Sequence, residues 1–117
     1  KTAKLMQDMI AAISLRSEDE FTIESLNDDL NHALSYPINF NQVARNLQYL
    51  RRSNLISVDW KERTIKRETS LSEYVQKSII NGPMWEKISN EWLRINSLLL
   101  NKYGTVNTEY EDLLPKQ

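Results

Sequence analysis

Apolar residues recur at spacings of three and four through most of this chain, and then, briefly, at every second position. Met6, Met9, Ile10 and Ile13 form the first stripe, which predicts a helix over 2–15. "SEDE" is a polar loop, "FTI" a short strand, and Thr22 a cap for the second helix. Ile23, Leu26, Leu30 and Leu34 make a second stripe over 23–34, which Tyr36-Pro37 stops because a residue before proline is pushed away from helical geometry. Asn39, with Gln42 three residues on, has the spacing of a capping box. Phe40, Val43, Leu47 and Leu50 are the inward stripe of the third helix, which ends near Asn54.

The period then changes. In "LISVDW", Ile56, Val58 and Trp60 alternate with Ser57 and Asp59, as in a strand with one buried face. "KER" is the turn and "TIKRET" the return strand, with Ile65 inward. Ser70 and Glu73 have capping-box spacing for a helix over 71–80, where Leu71, Tyr74, Val75 and Ile79 point inward. "NGP" interrupts the chain. Trp85, Ile88, Trp92, Ile95 and Leu99 then form the seam of a long helix over 84–103, stopped by Gly104. The remainder is expected to be extended or loosely docked, with Leu113 and Leu114 as anchors.

The order helix, strand, helix, helix, strand, strand, helix is that of a winged helix-turn-helix. The predicted fold is therefore mainly α (α+β), a winged helix-turn-helix with an added long C-terminal helix. Residues 1–80 form the winged unit, 81–104 a hinge and packing helix of the same domain, and 105–117 an extended tail.

Composition changes this picture little. The 117 residues suit one domain, and 40% apolar with 26% charged residues is ordinary for a globular chain. Without cysteine there is no disulfide, thiolate chemistry or cysteine-based zinc site. No apolar run has the length of a membrane span, and no membrane partner is expected. The chain opens at Lys1 inside a helical pattern, so it is expected to be a piece of a longer protein.

Catalytic candidates are thin. His32 is the one histidine, and as a lone residue in "DDLNHAL" it reads as a helix-surface side chain. Asp28, Asp29 and His32 have spacing that reaches a metal, but on an acidic helix such a trio is expected to be solvated. With two glycines there is no phosphate-cradling loop. The expectation is a non-enzymatic domain with no cofactor, no metal and no catalytic residue.

Charge distribution is more informative than the net value of −1. Residues 18–29 hold Glu18, Asp19, Glu20, Glu24, Asp28 and Asp29, while 45–67 hold Arg45, Arg51, Arg52, Lys61, Arg63, Lys66 and Arg67. The outward face of the third helix carries Asn41, Gln42, Arg45, Gln48 and Arg52, residue types that pair with adenine or guanine edges. Lys61, Arg63, Lys66 and Arg67 on the hairpin are candidates for phosphate contact. Against this, Asp59, Glu62 and Glu68 dilute the hairpin's charge. Tyr49, Val58, Trp60, Trp85 and Trp92 are candidates for a partner interface, because buried aromatic residues anchor such contacts.

The stretch "YPINFNQVARNLQYLRRSNLISVDWKERTIKRETSLSEYVQKSI" resembles the C-terminal winged helix of the origin recognition complex largest-subunit family. The family's winged helix helps grip origin DNA. The resemblance implies a recognition-helix role for Asn41, Arg45, Gln48 and Arg52 and a wing-tip role for Lys61 and Arg63. The slightly acidic balance and the extension over 84–117 look like the family's silencing branch, which has lost ATPase function. That branch implies homodimerisation in nuclear silent chromatin, at silent mating loci and telomeres. Its implied partners are a second copy, other silencing proteins, and nucleosomes or DNA through the full-length protein.

Homodimerisation is thus the favoured expectation. DNA binding, by an origin subunit or a transcription regulator, is the alternative. A third reading makes 105–117 a docking strand for a different protein, with Glu109, Glu111 and Asp112 beside Leu113 and Leu114.

Overall fold

A computed structural model describes residues 2–116. Helices pack around a small three-stranded antiparallel sheet. Helix α1 (Thr2–Leu15) leads into strand β1 (Glu20–Thr22), α2 (Ile23–Ala33) and α3 (Phe40–Arg52). Strands β2 (Ile56–Asp59) and β3 (Thr64–Arg67) form a hairpin, followed by α4 (Thr69–Tyr74), which continues as a π-helix over Val75–Ile80. The long α5 (Trp85–Tyr103) and a 3-10 helix (Thr108–Leu113) complete the chain.

The sheet order is β1-β3-β2, so β3 is central although two helices separate β1 from the hairpin along the chain. Phe21 pairs with Ile65, and Ile65 with Val58, which puts these three on one face of the sheet. Phe21, Ile56 and Ile65 are buried there against the helices, whereas Glu20, Ser57, Asp59 and Lys66 project from the opposite face.

Local chemistry explains most boundaries. The Thr22 hydroxyl accepts from the Ser25 amide at 3.0 Å and starts α2. Asn39 caps α3, but its side chain accepts from the Asn41 amide at 2.7 Å, so the cap closes one residue short of the expected Gln42 partner. Asn54 leaves α3 at φ 63°, the left-handed conformation asparagine tolerates, and Gly104 does the same after α5 at φ 78°.

Several expectations need correction. Phe40 is 40% exposed, because it sits in the first turn of α3 beyond the edge of the core, and the buried stripe begins at Val43. Strand β2 ends at Asp59, so Trp60 belongs to the turn and not to the inward face. The Ser70–Glu73 capping box does not form. The helix starts two residues earlier, the Ser70 hydroxyl donates to the Asn54 carbonyl, and Glu73 pairs with Lys77 at 2.8 Å.

The π-turns after Tyr74 have a packing consequence. Leu71, Val75 and Ile79 are spaced by four, and a four-residue step drifts around an α-helix. The wider i→i+5 turns rotate that drift back, and all three side chains are buried. The tail is not extended: its 3-10 helix buries Tyr110, Leu114 enters the core just after it, and Leu113 stays 41% exposed. Three-residue periodicity within that turn sends adjacent residues to different sides.

Candidate functional site

Helix α3 is amphipathic in a strict sense. Val43, Leu47 and Leu50 are buried at 0–2% exposure. At the helical repeat, Asn41, Arg45, Gln48 and Arg52 fall on the line diametrically opposite. Asn41, Arg45 and Arg52 are exposed and Gln48 is half-buried, its side-chain oxygen accepting from Arg51 Nε at 2.8 Å. Among the described residues neither Arg45 nor Arg52 has an acidic partner within ion-pair distance. Asn46, on the inward side, is buried, and its amide nitrogen lies 3.5 Å from Met9 Sδ.

The β2–β3 turn is tied down at several points. One Asp59 carboxylate oxygen accepts from the Lys61 amide at 3.0 Å and the Glu62 amide at 2.9 Å. Arg63 adopts φ 60°, accepts at its carbonyl from the Ile23 amide at 2.9 Å, and pairs its side chain with Glu24. The Arg63 guanidinium, with its hydrogen bond, holds the Glu24 carboxyl below its ordinary range. Arg67 is already committed within the chain: it donates to the carbonyls of Ile13 and Arg16, both at 2.8 Å, and to Asp19 at 2.9 Å. Of the hairpin's four basic residues, Lys61 and Lys66 are exposed and unpaired among the described residues.

The five interface candidates separate as well. Tyr49 is 61% exposed and Trp60 39%. Val58 is half-buried on the inner face of the sheet, and Trp85 is half-buried. Trp92 is not available for an interface. It is 1% exposed and stacks edge-on against Trp85 (centroids 5.7 Å apart) and Tyr110 (6.2 Å). The seam of α5 therefore serves the core of the same chain, and its tryptophan closes over the C-terminal turn.

A buried polar network escaped the sequence reading altogether. The Arg16 guanidinium lies between the rings of Phe21 (4.5 Å) and Tyr103 (4.4 Å) and donates to Asp29 at 3.1 Å. Asp29, expected to be solvated, is 1% exposed; its other oxygen accepts from Lys102 Nζ and the Tyr103 hydroxyl, both at 2.7 Å. Burial alone would pull the Lys102 ammonium down, but Asp28 and Asp29 more than offset it and hold it above the ordinary lysine value. The only advance signal was Asp29 falling among Leu26, Leu30 and Ala33 on the buried side of α2.

A second cluster joins α1 to α5. Asp8 is buried and accepts from the Tyr36 hydroxyl at 2.8 Å, beside Glu91, which Arg94 grips with two hydrogen bonds of 2.9 Å. Burial raises the Asp8 carboxyl above its ordinary value; the Tyr36 bond works against this and Glu91 adds to it. His32 is exposed, with Nδ1 at 3.2 Å from the Asp28 carbonyl. Among the described residues no three His, Asp or Glu side chains cluster as metal ligands, and no helix is long and apolar enough to cross a membrane.

No family model, no curated protein and no solved structure matches this chain.

Proposed function

We propose that this chain is a non-catalytic winged-helix module, with α3 as recognition helix and the β2–β3 hairpin as wing, that binds duplex DNA. One observation carries the reading: α3 turns Asn41, Arg45, Gln48 and Arg52 away from the core in a single line, and its two guanidiniums there have no acidic partner among the described residues. At such positions in the major groove asparagine pairs with base edges and arginine with base edges or phosphates, and a lysine at the wing reaches a phosphate. The strand order supports the fold assignment, since β1 joins the hairpin at the edge where a winged helix places its first strand. The resemblance to the origin recognition largest-subunit family points the same way.

The test is fluorescence anisotropy on labelled duplex over a salt series. Affinity should fall linearly in log–log form, with a slope of about −0.9 for each phosphate neutralised. Arg45→Ala with Arg52→Ala should weaken binding at least about tenfold and flatten that slope. Absence of binding at low salt would refute the proposal.

A second reading is homodimerisation, and the exposure of Tyr49 (61%) and Trp60 (39%) favours it. It would make the chain similar to the family's budding-yeast silencing paralogue, silent information regulator protein three, linking copies along nucleosomes in the nucleus. Pairing raises effective concentration, so weak chromatin contacts would act together. Light scattering over a dilution series decides this. A strict monomer at tens of micromolar would exclude it.

A further inference from the structure

We propose that Trp60 at the tip of the wing is a stacking platform for an unpaired base, so that the module prefers DNA with a flap or junction over a continuous duplex. The inference rests on the DNA-binding reading and adds a substrate class to it. Trp60 is a large aromatic ring left 39% exposed at a turn, past the end of β2 and outside the buried face of the sheet. Its backbone is held still: Asp59 accepts from the Lys61 and Glu62 amides at 3.0 and 2.9 Å, and the far side is anchored by Arg63 to both Glu24 and the Ile23 amide. A fixed platform loses little conformational freedom when a ligand settles on it.

The surroundings select the ligand. Lys61, next in sequence, is exposed and unpaired among the described residues, so the turn that carries the ring also carries a free cation, with the exposed Glu62 following it. The acidic neighbour Asp59 has an oxygen engaged by two backbone amides, which draws its charge inward. A ring and an adjacent ammonium suit a nucleotide whose base is free to stack and whose phosphate lies alongside. An intact duplex hides its base faces within the stack and offers the wing only groove edges and phosphates. A base freed at a flap or junction supplies the missing face.

The experiment compares a blunt duplex with the same duplex carrying a single-stranded flap, by anisotropy, with 2-aminopurine as the unpaired base. The wild-type chain should bind the flap substrate about five- to hundredfold more tightly and quench the 2-aminopurine. Trp60→Ala should abolish both the preference and the quenching while leaving affinity for blunt duplex unchanged; Trp60→Phe should retain part of each. Arg45→Ala with Arg52→Ala should weaken both substrates together. Equal affinity of the wild-type chain for the two substrates, or a flap preference that survives Trp60→Ala, overturns this inference and leaves duplex binding standing. Failure to bind either substrate overturns both. If Trp60→Ala instead lowers the mass in light scattering without changing flap affinity, the ring belongs to a second copy and the inference also fails.

Discussion

Replacing Asp29 by alanine tests whether α5 is held by charge as well as by its apolar seam. The carboxylate is 1% exposed and receives Arg16, Lys102 and the Tyr103 hydroxyl at 2.7–3.1 Å. Removing it strands the Arg16 guanidinium, which is 4% exposed, between two aromatic rings with Glu18 as its remaining carboxylate partner. Breaking one side of a buried pair costs about 3–5 kcal/mol, because the surviving charge stays out of water and has lost its buried partner. Total stability for a domain of this size is roughly 5–15 kcal/mol, so the loss is a large part of it.

The assay is urea unfolding monitored by circular dichroism. With a slope of about 2 kcal/mol per molar urea, the midpoint should fall by about 2 M. Asp28→Ala is the matched control, since Asp28 is exposed and also contacts Lys102, at 2.6 Å. It should leave the midpoint nearly unmoved, as solvent screens such pairs. Should Asp29→Ala unfold no earlier than Asp28→Ala, the network contributes nothing net and the seam alone docks α5.

Three further outcomes are expected. Asp8, whose folded carboxyl is raised chiefly by burial, contributes stability below the ordinary aspartate range and loses it as pH rises through the folded value; Glu91, lowered chiefly by Arg94, contributes above the ordinary glutamate range and loses it in acid. Asp8→Asn should therefore flatten the decline in Tm on the neutral side, measured from about pH 4 to pH 8. Gly82→Ala should cost about 1–3 kcal/mol in urea titration, because a Cβ there would run into the Ser78 carbonyl oxygen and strain the π-turn. Trp92→Ala should cost about 3–5 kcal/mol, whereas Leu113→Ser should change the midpoint by less than about 0.5 kcal/mol, which separates the buried anchor from the exposed one.

The periodic parts of this fold were legible in the sequence. Val43, Leu47 and Leu50 had to face one way once α3 was a helix, and Ile56 and Ile65 one way once the hairpin paired. What escaped was polar burial. Asn46, Asp8, Arg16 and Asp29 sit at 1–5% exposure, yet each reads as surface by residue type. Their burial is set by partners distant in sequence, such as Lys102 and Tyr103 for Asp29, and no local pattern encodes such a meeting. The tail failed for a similar reason: Tyr110 finds Trp92 only after α5 has turned back along α1. On the candidate site, residue type placed Asn41, Arg45 and Arg52 on the exposed side of α3, but could not separate a free arginine from one spent on the fold.

That separation also decides how strongly a single copy could hold DNA. Among the described residues, Arg63 and Arg67 carry ion pairs inside the chain, and Arg67 also clamps two carbonyls of the α1 end. Arg45, Arg52, Lys61 and Lys66 are exposed and have no such pair. Four cations on phosphates would give a salt slope of about −3.6, a shallow dependence and a weak attachment. Two paired copies bound together would give about −7.2, provided pairing leaves those cations exposed. On the proposed readings the slope would therefore report the number of copies on the DNA, and the two would cease to be rivals: a weak single-copy grip would make self-association useful. A slope near the lower value that stays constant at concentrations where light scattering reports a dimer would show that pairing covers the α3 face, and would set the two readings against each other again.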